Sequence, residues 1–442
     1  MKRLLIAAGV LALFVAVFLI RTWGISDHFW MLEDQRRDWE VALGPFTSLP
    51  LVGSPTHVHG YTIGPAFYWL LWAIRVTVGP FFDNLPHAGG IAQAFLETAA
   101  DILLMLAVWR RTRSPWPALV GFVLIASSPF DLSLSALVWN PTMGATLVKV
   151  SLAMVLSEWH RRSDWLLALT AAISWAAVHV YTGAIFAAVA TLPLLAFATD
   201  RRTILRRTAI VVGVVALLQI PYAVYRYQHR NAPVMAAVTG GVEQILRGEA
   251  KADVVNSARG YVESVGSFQT IEGWAMPAAL LILGAAGLAI RYRRDPALAW
   301  VLLVPQVLAI AGFALFLGAL DSYYYLPLLA ISVLTVAIGL LPTTRAGTIT
   351  GLVTLVGVAA MVPSRIAHSH QFEMPEYKVL VSASRTLCDL HRPLRAIRVS
   401  FDLPPTANPG FPYFAMGCLS DRNSPLVATI NRDGTITYNQ QP

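Results

Sequence analysis

The chain has 442 residues, of which 56% are hydrophobic and only 13% are charged. Because soluble domains carry roughly 25% charged residues, this composition excludes an ordinary soluble protein and predicts an all-α polytopic membrane protein. The formal net charge of +8 lies in short basic clusters between apolar runs. Such clusters encode the orientation of membrane helices, so we expect membrane lipids and no nucleic acid as partners.

The N-terminus carries the first predicted membrane helix. Lys2 and Arg3 precede an apolar run over residues 4–20, and no small-residue cleavage motif follows that run. These features predict an uncleaved signal anchor with its N-terminus in the cytoplasm. The chain is then expected to continue on the outer face of the membrane.

The segment after this helix, here called the first outer loop (residues 21–90), is the most informative part of the sequence. It carries the charged run 33–38, EDQRRD, and then glycine, proline and histidine residues between 53 and 65. Connections in compact domains are usually much shorter, so a long polar loop beside a bilayer favours an active site at the water–lipid boundary. The alternative is a solvated charged loop.

Four carboxylates of the first outer loop could carry chemistry, namely Asp27, Glu33, Asp34 and Asp38. If residues 33–43 form a helix, Asp34 and Asp38 share one of its faces. A partly desolvated carboxylate in this loop can act as a general base toward an acceptor hydroxyl or amine.

The basic residues of the same loop suggest an anion site. Arg36 and Arg37 could bind a phosphate group, because arginine makes bidentate contacts to phosphate. His57 and His59 could hydrogen-bond the phosphate, or bind a divalent metal together with a carboxylate. Two histidines do not define a metal site, so the metal requirement stays open.

Basic clusters elsewhere in the chain determine how the segment 64–80 lies. If this segment crossed the membrane, the cluster at 110–113 and every later cluster would fall on the outer side. If it lies along the outer interface or re-enters the membrane, all of the clusters fall inside. Its aromatic residues, from Phe67 to Trp72, suit the headgroup zone. We therefore predict an interfacial or re-entrant helix in the first outer loop.

With that assignment the chain forms about eleven membrane helices. They are expected near residues 4–20, 91–109, 115–130, 142–158, 165–179, 181–199, 208–225, 273–290, 297–318, 322–341 and 346–362. The outer segments are then 21–90, 130–141, 226–272 and 363–442. No internal repeat is evident, which disfavours a transporter built from duplicated halves.

The last part of the chain, residues 364–442, is predicted to be a small exocytoplasmic α/β domain that follows the transmembrane domain 1–363. Strands are expected at 394–401, 428–430 and 435–438. The last two flank an Asn-Arg-Asp-Gly turn, which is a hairpin signal. Cys388 and Cys418 would lie in an oxidising compartment, which permits a disulfide, and two buried thiols are the alternative.

Three charged residues fall within the predicted membrane helices. Glu97 and Asp101 are one turn apart on one helix, and Lys149 lies near mid-depth of another. Charges at membrane depth are usually paired or functional. A Lys149–Asp101 ion pair is the simpler interpretation, and a proton relay is the alternative.

Polar residues at the outer ends of later helices could belong to the same site. His179, Asp321 and Tyr324 are expected on the outer side, so they could line one cavity with Asp34. The tyrosines could instead form an ordinary interfacial aromatic belt.

Several short motifs resemble one known group of membrane enzymes. They are EDQRRD at 33–38, LVGSPT at 51–56, GPAFYW at 64–69, WNP at 139–141, HVY at 179–181 and YYLP at 324–327. Together they are similar to motifs of GT-C-fold glycosyltransferases, above all to bacterial members of the family 39 type. That group is related to protein O-mannosyltransferases and to the aminoarabinose transferase of lipid A.

The resemblance implies roles for individual residues. It implies that Asp34 is the catalytic base, ahead of Asp27 and Glu33, and that Asp131 is the second acidic residue in the next outer loop. The family's usual Asp-Glu pair is Asp34-Gln35 here. The family's Lys-Pro before the interfacial helix is Gly64-Pro65, so Arg36, Arg37 or His59 would contact the donor phosphate instead.

The resemblance also implies a reaction. A sugar would move, with inversion, from a polyprenyl-phosphate donor to an envelope glycan, lipid or protein on the outer face of the plasma (inner) membrane. No cofactor is firmly implied. Two rival hypotheses are a non-enzymatic transporter or flippase for a lipid-linked glycan, and a structural partner in an envelope-assembly complex.

Overall fold

The structure is a computed structural model, and only part of the chain is described below. The described residues are 2–25, 33–56, 60–82, 85–198, 200–230, 243, 246–248, 253–291, 293, 295–315, 321–341, 345–369, 377–390, 397–401, 424–431 and 433–440. The side chains of Glu33 and Arg36 lie outside this description, as do Asp27, His57, His59 and Cys418.

The described chain is mostly helical. Its α-helices are α1 Lys2–Thr22, α2 Glu33–Ala42, α3 Ala66–Thr77, α4 Leu85–Thr112, α5 Pro115–Ala126, α6 Pro129–Leu134, α7 Asn140–Leu156, α8 Asp164–Val180, α9 Ile185–Ala196, α10 Arg201–Gln228, α11 Val254–Phe268, α12 Ala275–Arg291, α13 Pro296–Phe313, α14 Leu329–Leu340, α15 Arg345–Ser369 and α16 Tyr377–Leu390. Short 3-10 turns lie at Phe46–Ser48, Gly79–Phe81, Trp159–Arg161, Thr182–Ala184 and Ser322–Leu328.

Within the described residues, 6 helices are long and apolar enough to cross a membrane. They are Leu4–Thr22, Leu85–Thr112, Arg201–Gln228, Pro296–Phe313, Ser322–Leu340 and Thr348–Ser369. Most of the other predicted spans correspond to shorter apolar helices, such as α5, α8, α9 and α12. The predicted multi-pass helical architecture is therefore present, whereas the count of about eleven spans stays a prediction.

The centre of the bundle is formed by α4, α5, α7, α8 and α14, whose facing side chains make one continuous apolar core. Small residues allow the closest crossing, between α12 and α14. A Cβ atom added to Gly284 would lie 2.9 Å from the carbonyl oxygen of Thr335. Close backbone approach of this kind is how membrane helices gain packing contacts in the absence of a strong hydrophobic drive.

The first outer loop has an apolar core of its own. Trp39 of α2 and Phe67, Tyr68 and Leu71 of α3 are buried against the start of α7 and the end of α8. This packing places α2, a helix of 10 residues with a charged face, beside the start of α7 and the end of α8. The loop is therefore a folded cap and not a solvated charged connection.

The C-terminal residues form a small mixed unit. Strands β1 (Arg398–Phe401), β2 (Leu426–Ile430) and β3 (Ile436–Gln440) make a sheet of order β1-β2-β3. β1 pairs parallel with β2, and β2 pairs antiparallel with β3, with Ala428 opposite Tyr438. The predicted hairpin is thus present. Cys388 on α16 is disulfide-bonded and packs in the core of this unit.

One buried cation needs a separate explanation. Arg365 of α15 is 3% exposed and donates to the Ser127 hydroxyl at 2.8 Å and to the Gln269 side-chain oxygen. Ser127 and Gln269 are the residues that cap the C-termini of α5 and α11. The negative ends of two helix dipoles therefore stabilise the guanidinium where a carboxylate would usually do so.

Candidate active site

A pocket of about 390 Å³ lies between the first outer loop and the neighbouring ends of the bundle helices. Asp34 and Arg37 of α2 form the charged part of its described lining. The other walls come from segments distant in the sequence, including Trp139–Pro141, Tyr181–Gly183 and Tyr323–Tyr324. Pro55 and Thr56 also line it, so five of the six motif regions singled out from the sequence meet at one cavity.

A helical turn brings the charged residues of α2 together. Arg37 Nη1 donates to Asp34 Oδ1 at 2.8 Å across one turn of the helix. The second oxygen, Asp34 Oδ2, accepts a hydrogen bond from the Trp139 indole at 3.3 Å. Both ionic partners keep 33% of their side-chain surface exposed, so the Asp34 carboxylate is accessible from the pocket.

Asp38, one turn further along α2, is the buried partner of this group. Its two oxygens accept from Arg37 Nε at 3.0 Å and Arg37 Nη2 at 3.1 Å. The hydroxyls of Ser54 and Tyr68 donate to it at 3.2 Å and 3.1 Å. Burial raises the pKa of Asp38 above its ordinary value, and the pairing with Arg37 opposes that rise.

Aromatic side chains form the wall opposite α2. The rings of Trp139 and Tyr323 lie 5.0 Å apart, and Tyr323 stacks on Tyr324 at 4.6 Å. Thr142 caps the start of α7 by accepting from the Trp139 amide, and Pro141 suits the first turn, which lacks backbone acceptors for its N–H groups. The cap holds the indole toward Asp34.

Part of the pocket lining is apolar, and this part is here called the apolar arm. It is formed by Ile185 and Phe186 of α9 and by Phe313 at the end of α13, followed by Leu315. The rings of Phe186 and Phe313 lie 5.0 Å apart, edge to face. A cavity with a charged end and an apolar arm is suited to a ligand with a polar head and a hydrocarbon tail.

His179 is close to the site but does not line the pocket. Its Nε2 bonds to the Gln219 side-chain oxygen at 2.5 Å, and Gln219 also donates to the carbonyl of Ile63 at 3.3 Å. A Cβ atom on Gly64 would collide with the imidazole ring. The histidine therefore supports the first outer loop from below, because glycine lets the loop backbone rest on the ring.

Tyr324 lines the pocket as predicted, whereas other predicted contacts cannot be located. His57 and His59 lie outside the described residues, and Thr56, the residue before them, lines the pocket. The side chain of Arg36 is likewise outside the description. Their predicted role in binding phosphate stays a prediction.

A second charged cluster lies deep between α1, α4, α6 and α7. Lys149 Nζ pairs with Glu97, with Asp101 at 2.9 Å and with Asp131 at 3.6 Å. The guanidinium of Arg21 pairs with Asp101 at 2.7 Å and with Asp131 at 2.8 Å. The predicted Lys149–Asp101 pair is thus present, as part of a larger network that also includes Arg21, a residue that sequence reasoning missed.

This cluster includes Asp131, which was expected to be a second acidic residue of the active site. The structure does not bring Asp131 to the described pocket lining, and its side chain is only 7% exposed. The short helix α6 turns it inward, where two cations neutralise it. Chain position alone predicted an outer location, but the direction of the side chain depends on this turn.

The same cluster contains the one group of acidic residues in the described chain with metal-like spacing. Ligand oxygens of Glu97, Asp101 and Asp131 lie within 4.8 Å of one another. The ammonium of Lys149 and the guanidinium of Arg21 already contact these carboxylates, so the group does not fit a divalent ion.

Comparison with known proteins identifies the class of fold. No protein-family model matches the chain. No curated protein matches it in sequence. Among solved structures, ArnT from Cupriavidus metallidurans bound to undecaprenyl phosphate aligns with TM-score 0.57 and 14% identity over 92% of this chain and 85% of that chain. The apo state of the same ArnT aligns with TM-score 0.57 and 12% identity over 96% and 93%.

A second kind of protein shares the architecture. The apo oligosaccharyltransferase of Archaeoglobus fulgidus aligns with TM-score 0.52 and 14% identity over 86% of this chain. The chain spans 58% of the length of that protein. ArnT and the oligosaccharyltransferase are both GT-C-fold glycosyltransferases, so the chain has the GT-C fold, as the sequence motifs suggested. At this level of identity the likeness establishes the fold alone.

Proposed function

We propose that the protein transfers a sugar from a polyprenyl-phosphate donor to an envelope acceptor, with inversion, on the outer face of the membrane. The observation that carries this proposal is the pocket itself. An accessible carboxylate, Asp34, stands beside an arginine at one end, and an apolar arm of Phe186, Phe313 and Leu315 forms the other. The GT-C fold supports the same reaction class, since one protein of that fold was solved with undecaprenyl phosphate bound.

In the proposed mechanism Asp34 acts as the general base. It accepts a proton from the acceptor hydroxyl or amine while the acceptor oxygen or nitrogen attacks the anomeric carbon. The bond between that carbon and the phosphate oxygen breaks, and both of its electrons leave with the lipid phosphate. Because the leaving group already carries charge, it needs cationic stabilisation more than a proton.

We propose that Arg36, His57 or His59 binds the donor phosphate, in preference to Arg37. Arg37 is shared between Asp34 and Asp38, and a phosphate could bind it only by displacing a carboxylate. Tyr324 is proposed to contact the substrate from the opposite wall. We propose that His179 acts indirectly, by supporting the backbone of the first outer loop at Gly64.

Ion pairs support the proposed orientation in the plasma (inner) membrane. Arg111 at the end of α4 pairs with Glu158, before α8, at 2.7 Å and with Asp295, before α13, at 2.5 Å. Arg207 near the start of α10 donates to the carbonyl of His160 at 3.1 Å. The basic clusters at 110–113, 161–162, 201–207 and 291–294 are thus assigned to one end of the bundle, which we propose is cytoplasmic, together with the N-terminus.

The interfacial helix and the outer C-terminal unit belong to the same proposal. α3 has 12 residues, and Trp72 lies edge to face with Phe46 at 5.1 Å beside it. A short helix with aromatic residues at one end of the bundle suits the headgroup zone of the outer leaflet. We propose that the unit formed by residues 364–442 lies on that side.

The proposed function is tested by following a radiolabelled sugar from the donor to a new product. Wild type and Asp34→Asn are purified in nanodiscs and incubated with radiolabelled polyprenyl-phosphate sugars and an envelope extract, with and without EDTA. We expect wild type, but not Asp34→Asn, to form a labelled product, and the active donor names the sugar. Equal transfer by both proteins would remove Asp34 as the base, and loss of transfer in EDTA would establish a divalent metal requirement.

The alternative of a flippase is tested in the same samples. If the donor binds but no donor in the panel is consumed, a lipid-movement assay in proteoliposomes follows. Movement of the labelled lipid by both wild type and Asp34→Asn would favour the transporter hypothesis. Lys149 pairs with Glu97 and Asp101, and Asp101 also pairs with Arg21, which makes these charges less suited to a transport path.

A further inference from the structure

We infer that Asp38 is a positioning residue of this site, which orients Arg37 and through it the Asp34 carboxylate. The inference rests on the proposed transferase function, because it assigns how the base of that reaction is held. The sequence analysis named Asp38 only as one of four candidate carboxylates of the first outer loop, and its positioning role follows from the hydrogen bonds around it.

The contacts of Arg37 divide its guanidinium between two carboxylates. Nε and Nη2 both donate to Asp38, at 3.0 Å and 3.1 Å, so the fork is held from one side by a bidentate pair. The remaining nitrogen, Nη1, donates to Asp34 Oδ1 at 2.8 Å. Because the guanidinium is planar and rigid, fixing two of its nitrogens also fixes the direction of the third.

Asp38 is itself held by the elements around it. Its side chain is 2% exposed, and a carboxylate so buried must be fully hydrogen-bonded. Ser54 lies in the segment between the 3-10 turn at Phe46–Ser48 and α3, and Tyr68 lies in α3. The charged and titratable groups that face Asp38 are therefore Arg37 and Asp34 from its own helix and Tyr68 from α3. Asp38 together with its donors Arg37, Ser54 and Tyr68 is here called the clamp. It joins three parts of the first outer loop to one carboxylate.

As a result, each oxygen of the Asp34 carboxylate at the pocket accepts a hydrogen bond from a held donor. Arg37 holds Asp34 Oδ1, and the Trp139 indole holds Asp34 Oδ2 at 3.3 Å. Small displacements of a reacting group can cost a large part of the catalytic rate. Loss of Asp38 should therefore reduce turnover, while leaving the apolar arm that binds the lipid unchanged.

A double-mutant cycle tests this inference. The variants are Asp38→Asn, Arg37→Gln and the combination of both, with Glu40→Gln as the control, since Glu40 is an exposed carboxylate on the same helix. We expect each single clamp variant to lower kcat about 10- to 100-fold, with the donor KM within about threefold of wild type. The double variant should be no slower than Arg37→Gln, because Asp38 acts through Arg37. Fully additive losses, or an unchanged kcat in Asp38→Asn, would overturn the inference.

A spectroscopic readout separates this inference from the proposed function. In protein labelled with 15N-tryptophan, the Trp139 indole signal is assigned as the one lost in Trp139→Phe. Asp38→Asn and Arg37→Gln should shift that signal, because the acceptor Asp34 moves, and Glu40→Gln should not. A wild type without transfer activity would defeat the proposed function and leave this readout intact. An unmoved indole signal in a folded Asp38→Asn protein would defeat the inference alone.

If Asp38→Asn does not fold, Tyr68→Phe takes its place. It removes one donor to Asp38 and keeps both charges. We expect a smaller indole shift in the same direction and a kcat loss of about 2- to 10-fold. Wild-type values for both quantities in Tyr68→Phe would count against the clamp.

Discussion

Two charged clusters with similar chemistry differ in what surrounds them. In the outer cluster, Asp34 and Arg37 keep about a third of their side-chain surface exposed and face a pocket. In the inner cluster, the side chains that pair with Lys149 are at most 7% exposed. Both clusters pair arginine or lysine with carboxylates, so composition alone would give them the same role.

The difference between the clusters teaches that access to a pocket, and not charge, separates a candidate reactive site from a structural ion-pair network. The inner cluster ties α1, α4, α6 and α7 together through side chains that are almost fully buried. The outer cluster is closed on the Asp38 side and open on the Asp34 side, so that one carboxylate stays free to react. A buried ion pair is weak evidence for stability as such, but removal of one of its partners is strongly destabilising.

The largest expected effect tests the inner cluster. It holds three carboxylates against two cations, and Lys149→Met leaves three carboxylates against one. We expect Lys149→Met to lower the free energy of unfolding by about 3–5 kcal/mol. The paired variant Glu97→Gln/Lys149→Met restores the original charge difference and should be less destabilised. Thermal unfolding in nanodiscs measures both, and equal losses in the two variants would contradict a charge-balance role.

A smaller effect is expected at the support beneath the outer cluster. Gly64→Ala adds a methyl group that collides with the His179 ring, so either the loop or the histidine must move. Transfer should fall about 10-fold through displacement of the first outer loop. Gly213→Ala is the matched control, because a Cβ atom there meets nothing within 4 Å. Equal activity of the two variants would show that the contact with His179 is unimportant.

The dependence of kcat on pH in the acidic range tests the role of Asp38. Burial raises the pKa of Asp38, so protonation should release Arg37, and kcat should fall, at a higher pH than an exposed aspartate would titrate. A carboxyl group whose pKa is raised by folding binds its proton more tightly in the folded state, so this protonation does not destabilise the protein. We therefore expect kcat to fall without a fall in the melting temperature over the same pH range. In Asp38→Asn, which has no carboxyl group at this position, this fall should be absent.

The smallest effect is expected at Arg365. Arg365→Gln removes a cation from two helix C-termini and should cost about 1 kcal/mol of unfolding free energy. Arg206→Gln, which breaks an ion pair with Asp164 at an arginine 66% exposed, should cost less than about 0.5 kcal/mol. Unfolding of both variants in parallel checks the order, and a larger loss in Arg206→Gln would contradict the dipole explanation.

Sequence patterns predicted much of this architecture. The apolar runs located the helices, and the charged loop and the tyrosine motif pointed to Asp34 and Tyr324 as parts of one site, whereas Trp139 was noted only as part of a motif. What they could not predict was side-chain direction after short turns. Asp131 lies on a six-residue helix that turns it inward, and Arg21 ends a helix that looked like a plain anchor. Both depend on tertiary packing, which local periodicity does not contain.

The most direct test of the contrast between the clusters compares Asp34→Asn with Asp131→Asn in one transfer assay. Both changes remove one negative charge and keep the shape of the side chain. We expect Asp34→Asn to lose about 10²- to 10⁴-fold in transfer at an unchanged melting temperature. Asp131→Asn should keep transfer per folded molecule within about twofold of wild type, because Asp131 faces Arg21 and Lys149 and not the pocket. An active Asp34→Asn, or a folded but inactive Asp131→Asn, would contradict the account.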